Sequence, residues 1–149
     1  PAIGRTRVGM HYGDAIVGNF GGEGRIQYTA LGDAMNTAAR LEAANKALDT
    51  KVLLSREAME RTGLDWFRPM GRITLRGRST PVEVFEPVPD WQDDQRATVT
   101  AVIAAHEIGD SSSIQALGAM TKTYGEDLGL ANLLRRLKKT KNGESYALG

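Results

Sequence analysis

The chain has 149 residues, enough for one ordinary domain or for a small domain with an appendage. Nineteen basic residues oppose eighteen acidic ones, and the resulting net charge of +1 gives little support to nucleic-acid or anionic-membrane binding. The absence of cysteine excludes disulfides, a thiolate nucleophile and Cys-ligated metal sites, and it fits a reducing, cytoplasmic location. No stretch approaches the ~18 consecutive apolar residues of a membrane span, so we expect no direct membrane contact from this segment.

The N-terminal region is predicted to hold a β-hairpin followed by a helix. β-Branched and aromatic residues punctuated by glycines in RVGMHYGDAIVGNFGG (7–22) predict strands joined by tight turns. RIQYTAL (25–31) is interpreted as the returning strand. Asp33 is then predicted to cap a helix that runs to about Leu48.

The middle of the chain continues the alternation of strands and helices. KVLLS (51–55) predicts a short strand, and Ser55 is predicted to cap a helix that Gly63 ends. Two runs of alternating apolar and polar residues within 66–88 predict two further strands. This order of elements argues for a layered α/β or α+β sheet domain.

The composition changes at PVPDWQDDQ (87–95), which is interpreted as a linker. Three helical segments follow, in 95–109, 112–125 and 126–139, with a pattern similar to a tetratricopeptide-like hairpin plus one helix. Because one such unit cannot bury its own apolar face, we expect it to pack on the sheet, on a partner or on a second copy. The basic run RRLKK (135–139) is interpreted as a solvated helix face.

The stretch YTALGDAMNTAAR (28–40) raises the question of function. Positions i and i+4 of a helix share one face, so Asn36 and Arg40 are expected to point the same way. A guanidinium suits phosphate oxygens, and an amide offers both a donor and an acceptor, which together predict a phosphate or sugar-phosphate site. The alternative is an ordinary solvated helix face, which the nearby Glu42 and Lys46 would continue.

Three motifs in order resemble the C-terminal half of class III nucleotidyl cyclase catalytic domains. They are RVGMHYGDAIVGNFG, then YTALGDAMNTAARLE, then LRGRSTPVEVFE. The resemblance implies an α+β fold: a partial ferredoxin-like cyclase core, with its N-terminal strands missing, followed by a small helical extension. It divides the chain into a cyclase part (1–89) and a linker with helices (90–149).

The resemblance also implies roles for single residues. Asn36 aligns with the asparagine that orients the ribose, and Arg40 with the arginine that stabilises charge on the phosphate under attack. Thr29 aligns with the residue that reads the purine, where threonine favours ATP, and the adjacent backbone of Ala30 and Leu31 would line the base pocket. Arg76 aligns with a basic residue that grips the terminal phosphates, although better-known members have lysine there.

The family builds its active site at the interface of a head-to-tail dimer, with two Mg²⁺ or Mn²⁺ ions held by a pair of aspartates. Those aspartates belong to a segment N-terminal to the motifs matched here, and neither Asp14 nor Asp33 is interpreted as a metal ligand. The chain is therefore expected to be part of an adenylate cyclase that converts ATP to cyclic AMP and pyrophosphate, inactive alone and active in a homodimer of its parent. The alternative is a degenerate cyclase-like module that binds nucleotide or dimerises without catalysis.

Overall fold

The structure, a computed structural model, describes residues 6–13, 24–75, 80–110, 112–141 and 144–148, and for residues 24–33 and Ser113 it describes the backbone alone. The described residues form five helices and a five-stranded sheet. In chain order these are β1 (Val8–Met10), α1 (Gly24–Leu48), β2 (Val52–Ser55), α2 (Arg56–Thr62), β3 (Phe67–Thr74), β4 (Val82–Pro87), α3 (Asp93–Glu107), α4 (Ser113–Thr123), α5 (Leu128–Lys139) and β5 (Tyr146–Ala147).

The strands lie in the order β1-β2-β4-β3-β5. β1 and β2 are parallel neighbours joined through α1, whereas β2 with β4 and β4 with β3 are antiparallel. The expected α+β architecture is confirmed, since the mixed sheet and the helices after β4 fit a partial ferredoxin-like core with a helical extension.

The middle of the chain follows the sequence pattern closely. Ser55 caps α2 because its hydroxyl oxygen accepts the backbone N–H of Ala58, and Gly63 ends the helix in the left-handed conformation (φ 66°). β3 and β4 form an antiparallel pair with an irregularity between Pro69 and Arg72. These predictions of sequence analysis are confirmed.

Two predictions for the N-terminal region are wrong. Residues 25–31, predicted as a strand, form the first part of α1, so Asp33 lies within the helix and does not cap its start. The β propensity of this segment was a weak guide, because packing context overrides it. The internal Gly32 costs a helix only about 1 kcal/mol, and the segment contains no proline. The rest of the predicted hairpin, residues 14–23, lies outside the described residues.

One hydrophobic core joins the sheet to the helices that follow it. Its buried members come from α1, from the strands and from the three C-terminal helices: Leu41, Ala44, Leu48, Leu53, Met70, Ile73, Leu75, Val82, Val84, Val99, Val102, Leu117, Leu130, Leu133 and Leu137. Of the three packing partners expected for the helical unit, the structure shows the sheet. β5 was not predicted, because two residues paired with Ile73 and Thr74 carry no periodic signal.

Candidate active site

The candidate residues Asn36 and Arg40 lie on the flank of α1 beside its buried face. That face consists of side chains at helical spacing, all at most 3% exposed: Thr37, Leu41, Ala44, Asn45 and Leu48. Asn36 and Arg40 each precede one of these buried positions by one residue, which rotates them about 100° around the helix axis. The structure therefore places both on one face, as the spacing predicts, at the border between the packed face and solvent.

The exposure and the partners of these two side chains bear on whether a ligand can reach them. Asn36 is exposed and Arg40 is half-buried. Within the residues that the structure describes, neither side chain has a hydrogen-bond or ion-pair partner. A half-buried guanidinium without a carboxylate partner is suited to bind an anion, since it keeps all its donors free.

Four further residues were predicted for the site. Thr29, Ala30 and Leu31 belong to the part of α1 for which the backbone alone is described, and they lie one to two turns N-terminal to Asn36. Arg76 lies outside the described residues. Its neighbour Leu75 follows the end of β3, and the described chain resumes at Thr80, just before β4.

The sheet topology brings several strand ends to the same end of the sheet. β1, β2 and β3 end there, β4 begins there, and α1 follows β1. The end of β3 and the start of β4 are two to three strand positions from β1, which corresponds to about 10–15 Å.

A cleft of about 370 Å³ opens at this end of the sheet, and sequence reasoning did not reveal it. Its lining includes His11 after β1, Arg56 at the start of α2, and Thr80 before β4. The Nδ1 atom of His11 lies 2.9 Å from the hydroxyl oxygen of Ser55. Each of these residues lies next to the end of a strand. That they line one cleft can be inferred only once the order of the strands in the sheet is known.

Metal binding receives no support from this donor set. An amide and a guanidinium at Asn36 and Arg40 suit an anion, because a divalent cation prefers carboxylate oxygens. No cluster of three or more His, Cys, Asp or Glu side chains suited to a metal ion occurs among the described residues. None of the helices in that part of the chain combines the length and apolar character of a transmembrane segment.

Among the described residues, Arg68 and Arg136 are buried arginines, and both have structural partners. Arg68 on β3 is 2% exposed and donates to Asp127 and Glu86, with its guanidinium 4.6 Å from the ring centre of Trp91. Burial lowers the pKa of Arg68, but the hydrogen bond to Asp127 and the two negative charges outweigh it and raise the pKa overall.

The two carboxylates that share Arg68 respond to it differently. Burial raises the pKa of Glu86, and the attraction of Arg68 does not compensate, so the net shift is upward. Burial also raises the pKa of Asp127, but the hydrogen bonds from Arg68 and from the backbone N–H of Leu130 lower it overall. Asp127 accepts the Leu130 N–H at 3.0 Å as the N-cap of α5, so it joins the helix start to the sheet.

Arg136 is buried and has no acidic partner in the described part of the chain. It donates from Nε to the Asn132 side chain (2.7 Å) and from Nη1 to the Met70 carbonyl (2.8 Å). Its Nη2 atom is buried with no hydrogen-bond partner among the described residues. Burial lowers the pKa of Arg136 to about 10. The interpretation of residues 135–139 as a solvated face is therefore wrong for Arg136, whose helical position turns it toward the sheet.

Comparison with known proteins identifies the family of this chain. Residues 5–85, more than half of the chain, match the model of the adenylate and guanylate cyclase catalytic domain. The chain belongs to this family. The matched residues contain β1, α1, β2, α2, β3 and most of β4, whereas the three C-terminal helices lie beyond them.

Individual relatives agree with the family match. Adenylate cyclase 1 of Rhizobium meliloti (strain 1021) is 45% identical over 85 residues, which cover 56% of this chain and 13% of that protein. The terminal-differentiation specific adenylate cyclase of Dictyostelium discoideum is 32% identical over 108 residues, 70% of this chain and 5% of that protein. An uncharacterised protein of Mycobacterium tuberculosis (strain ATCC 25618 / H37Rv) is 32% identical over 108 residues, 69% of this chain and 18% of that protein.

The chain thus spans less than a fifth of the length of these relatives. No solved structure matches it significantly.

Proposed function

We propose that this cyclase-family chain supplies one face of an adenylate cyclase active site, which converts ATP to cyclic AMP and pyrophosphate at a dimer interface. The observation that carries the proposal is the pair Asn36 and Arg40, which share one face of α1 and have no partners among the described residues. In a chain of this family, an unpaired amide and guanidinium at these positions fit the ribose and the phosphate of a nucleotide.

The chemistry needs a preorganised positive charge. The ribose 3′-hydroxyl loses its proton to water and attacks the α-phosphorus, a new P–O bond forms, and the bond to the oxygen that bridges to the β-phosphate breaks as pyrophosphate leaves with the electron pair. Negative charge develops on the phosphate oxygens during this exchange. A guanidinium held by a helix and partly shielded from water stabilises that charge more than a mobile solvated side chain does. Arg40 meets this requirement, and Asn36, one turn away, can orient the sugar.

The remaining contacts are proposed from the family resemblance. Thr29 would read the adenine edge with the backbone of Ala30 and Leu31 around the base, and Arg76 would hold the terminal phosphates. The donors at Asn36 and Arg40 do not fit a divalent cation, so the Mg²⁺ or Mn²⁺ ions are assigned to aspartates that this sequence does not supply. We therefore propose that the chain alone does not turn over ATP and acts with a subunit that holds the metals.

A complementation assay tests this proposal. The full chain is mixed with a class III cyclase domain that keeps its metal-binding aspartates but has alanine at its own positions equivalent to Asn36 and Arg40. Cyclic AMP should form from ATP and Mg²⁺ or Mn²⁺ in the mixture and in neither protein alone. Arg40→Ala should lower the turnover of the mixture by about 10²–10³-fold, with a small change in KM. Lys46→Ala, an exposed cation on the same helix, is the control and should leave the rate unchanged.

The other outcomes each decide a part of the proposal. Association without turnover would favour the alternative, a cyclase-like module that dimerises or binds nucleotide without catalysis. Failure of the two proteins to associate would contradict the dimer interface. Robust turnover by the chain alone would contradict the composite site, and an unchanged rate with Arg40→Ala would contradict the role of that arginine.

A further inference from the structure

The position of Arg40 depends on an unusually close contact between α1 and β1. A Cβ atom built on Gly9 would lie 2.2 Å from the backbone nitrogen of Glu42 and 2.5 Å from the carbonyl oxygen of Ala38. These two backbone atoms belong to the helical turn that carries Arg40. The helix backbone therefore rests directly on the strand backbone, and no residue with a side chain fits at position 9 without separating the two.

A second contact fixes the same helix a little further along. Asn45 is 1% exposed, and its Nδ2 atom donates to the carbonyl oxygen of Val8 on β1 at 3.0 Å. The same Nδ2 lies within hydrogen-bond distance of the Leu41 and Glu42 carbonyls. Its Oδ1 atom accepts the hydroxyl of Thr50 at 2.7 Å, immediately before β2. One buried amide thus ties α1 to β1 and to the turn that leads into β2.

The two contacts restrain the position of α1 in different directions. Gly9 sets the distance between α1 and β1, because the backbones touch there. Asn45, about five residues and 7–8 Å along the helix axis from Arg40, sets the register of the helix along the strand. A rigid helix held at two points has little freedom to slide or tilt. The side chains on its flank, Asn36 and Arg40, are then placed relative to the end of the sheet.

We propose that Gly9 and Asn45 are positioning residues, which set where Arg40 and Asn36 stand at the end of the sheet and thereby control turnover without contacting substrate. The inference rests on the proposed function for its catalytic consequence, while the structural consequence can be measured independently. Neither residue was singled out by the sequence analysis, because a glycine and an asparagine inside predicted elements give no sign of which backbone they will meet.

The first measurement follows the helix position in the full chain, without nucleotide. The chain contains no cysteine, so single spin labels can be placed at Met35→Cys on α1 and Leu64→Cys after α2, both exposed positions. Gly9→Ala must widen the contact from 2.2 Å to the 3.4 Å of ordinary contact, a separation of about 1.2 Å. The distance between labels should shift by about that amount with Gly9→Ala and further with Gly9→Val. An unchanged distance with both variants would overturn the proposal.

The second measurement follows catalysis in the complementation mixture. A misplacement of about 1 Å can reduce turnover by about 100-fold. Gly9→Ala and Asn45→Ala should therefore lower kcat by about 10–100-fold with a smaller effect on KM, and Thr50→Ser should keep the rate that Thr50→Val loses. The control is Gly63→Ala, which strains a left-handed position with no atom within 4 Å and leaves the α1–β1 contact intact. It should destabilise the chain but keep kcat.

The two proposals fail in distinguishable ways. If Arg40→Ala reduces turnover whereas Gly9→Ala behaves like Gly63→Ala, the positioning role is wrong and the proposed function stands. If the mixture makes no cyclic AMP but the label distance shifts with Gly9→Ala, the proposed function fails and the mechanical role of Gly9 in placing α1 stands. If the distance does not shift, the positioning role is wrong whatever the activity.

Discussion

Two interfaces between helices and the sheet in the described part of the chain, called seams below, differ in their polar contacts. Where α1 meets β1 and β2, the contacts are neutral: the backbone approach at Gly9 and the buried amide of Asn45. Where the C-terminal helices meet β3 and β4, the contacts include an ionic cluster, centred on Arg68 with Asp127 and Glu86. The first seam lies within the family-matched residues, and the second extends beyond them.

This difference distinguishes the arginines that have structural partners from Arg40, which we propose to bind a ligand. Arg68 is buried against two carboxylates, and Arg136 is buried against neutral acceptors. Arg40 has neither kind of partner among the described residues. Its helix is held to the sheet by the neutral contacts at Gly9 and Asn45. We therefore expect Arg40 to contribute little to folding stability, as its proposed binding role on a rigid support requires.

The largest effect on stability is expected for Arg68→Ala. Removing this arginine leaves Glu86 and Asp127 near each other without a cation, and breaking a buried pair in this way typically costs about 3–5 kcal/mol. Urea-induced unfolding at pH 7 measures the loss. Arg40→Ala, by contrast, should change the free energy of unfolding by no more than about 0.5 kcal/mol, because its side chain has no partner in the described residues.

An exposed ion pair provides the control for that comparison. Arg135 is 59% exposed and lies 3.4 Å from Asp49 across α5 and the end of α1. Arg135→Ala should cost less than about 1 kcal/mol, as is usual for solvent-exposed pairs. If Arg40→Ala destabilised the chain as much as Arg68→Ala, the separation between structural and ligand-binding arginines would be wrong.

An intermediate effect is expected at the neutral seam. Asn45→Ala removes a fully buried amide and leaves the Thr50 hydroxyl and the Val8 carbonyl without this partner, which costs about 1–3 kcal/mol. Thr50→Ser, which keeps the hydroxyl, should cost less than Thr50→Val, which removes it. The same urea titrations measure all three variants. A loss for Asn45→Ala below that of Arg135→Ala would show that the amide does not hold the seam.

The sequence predicted those parts of the fold whose signals are local. The cap at Ser55, the left-handed Gly63 and the alternation in β3 and β4 each depend on a few neighbouring residues, and all are confirmed. The start of α1 was predicted wrongly, because the same residues are acceptable in a strand and in a helix and packing decides between them. The pairing of β5 depends on contacts more than 70 residues apart, for which the local pattern gives no information.

The candidate site was predictable in part. The spacing of Asn36 and Arg40 predicts their shared face, and the structure places them there. The residues that support them could not be recognised, because the role of Gly9 depends on which helix crosses its strand. Arg136 shows the opposite case: its place in a basic run suggested solvent, while its helical phase with Leu133 and Leu137 turned it inward. The roles of Thr29 and Arg76 remain predictions.

The most discriminating effect concerns the two carboxylates that bind Arg68. The pKa of Asp127 is lowered by folding, so its ionised form stabilises the fold above the unfolded pKa of about 3.9, and this contribution is lost as the pH falls. The pKa of Glu86 is raised by folding, so the native state binds more protons just above pH 4.3, and stability falls as Glu86 ionises.

Isosteric substitutions distinguish the stabilising effect of ionised Asp127 from the destabilising effect of ionised Glu86. At pH 7, Asp127→Asn should cost about 1–2 kcal/mol more than Glu86→Gln, because it removes a favourable charge while asparagine still caps α5. The difference should shrink as the pH approaches 4, where Glu86 takes up a proton in the native state and Asp127 begins to do so in the unfolded state. Urea midpoints of the two variants and the wild type at pH 7, 5.5 and 4 measure it. Equal losses at all three values would mean that Arg68 binds both carboxylates alike, and the ionic seam would then be a symmetric triad with no preferred partner.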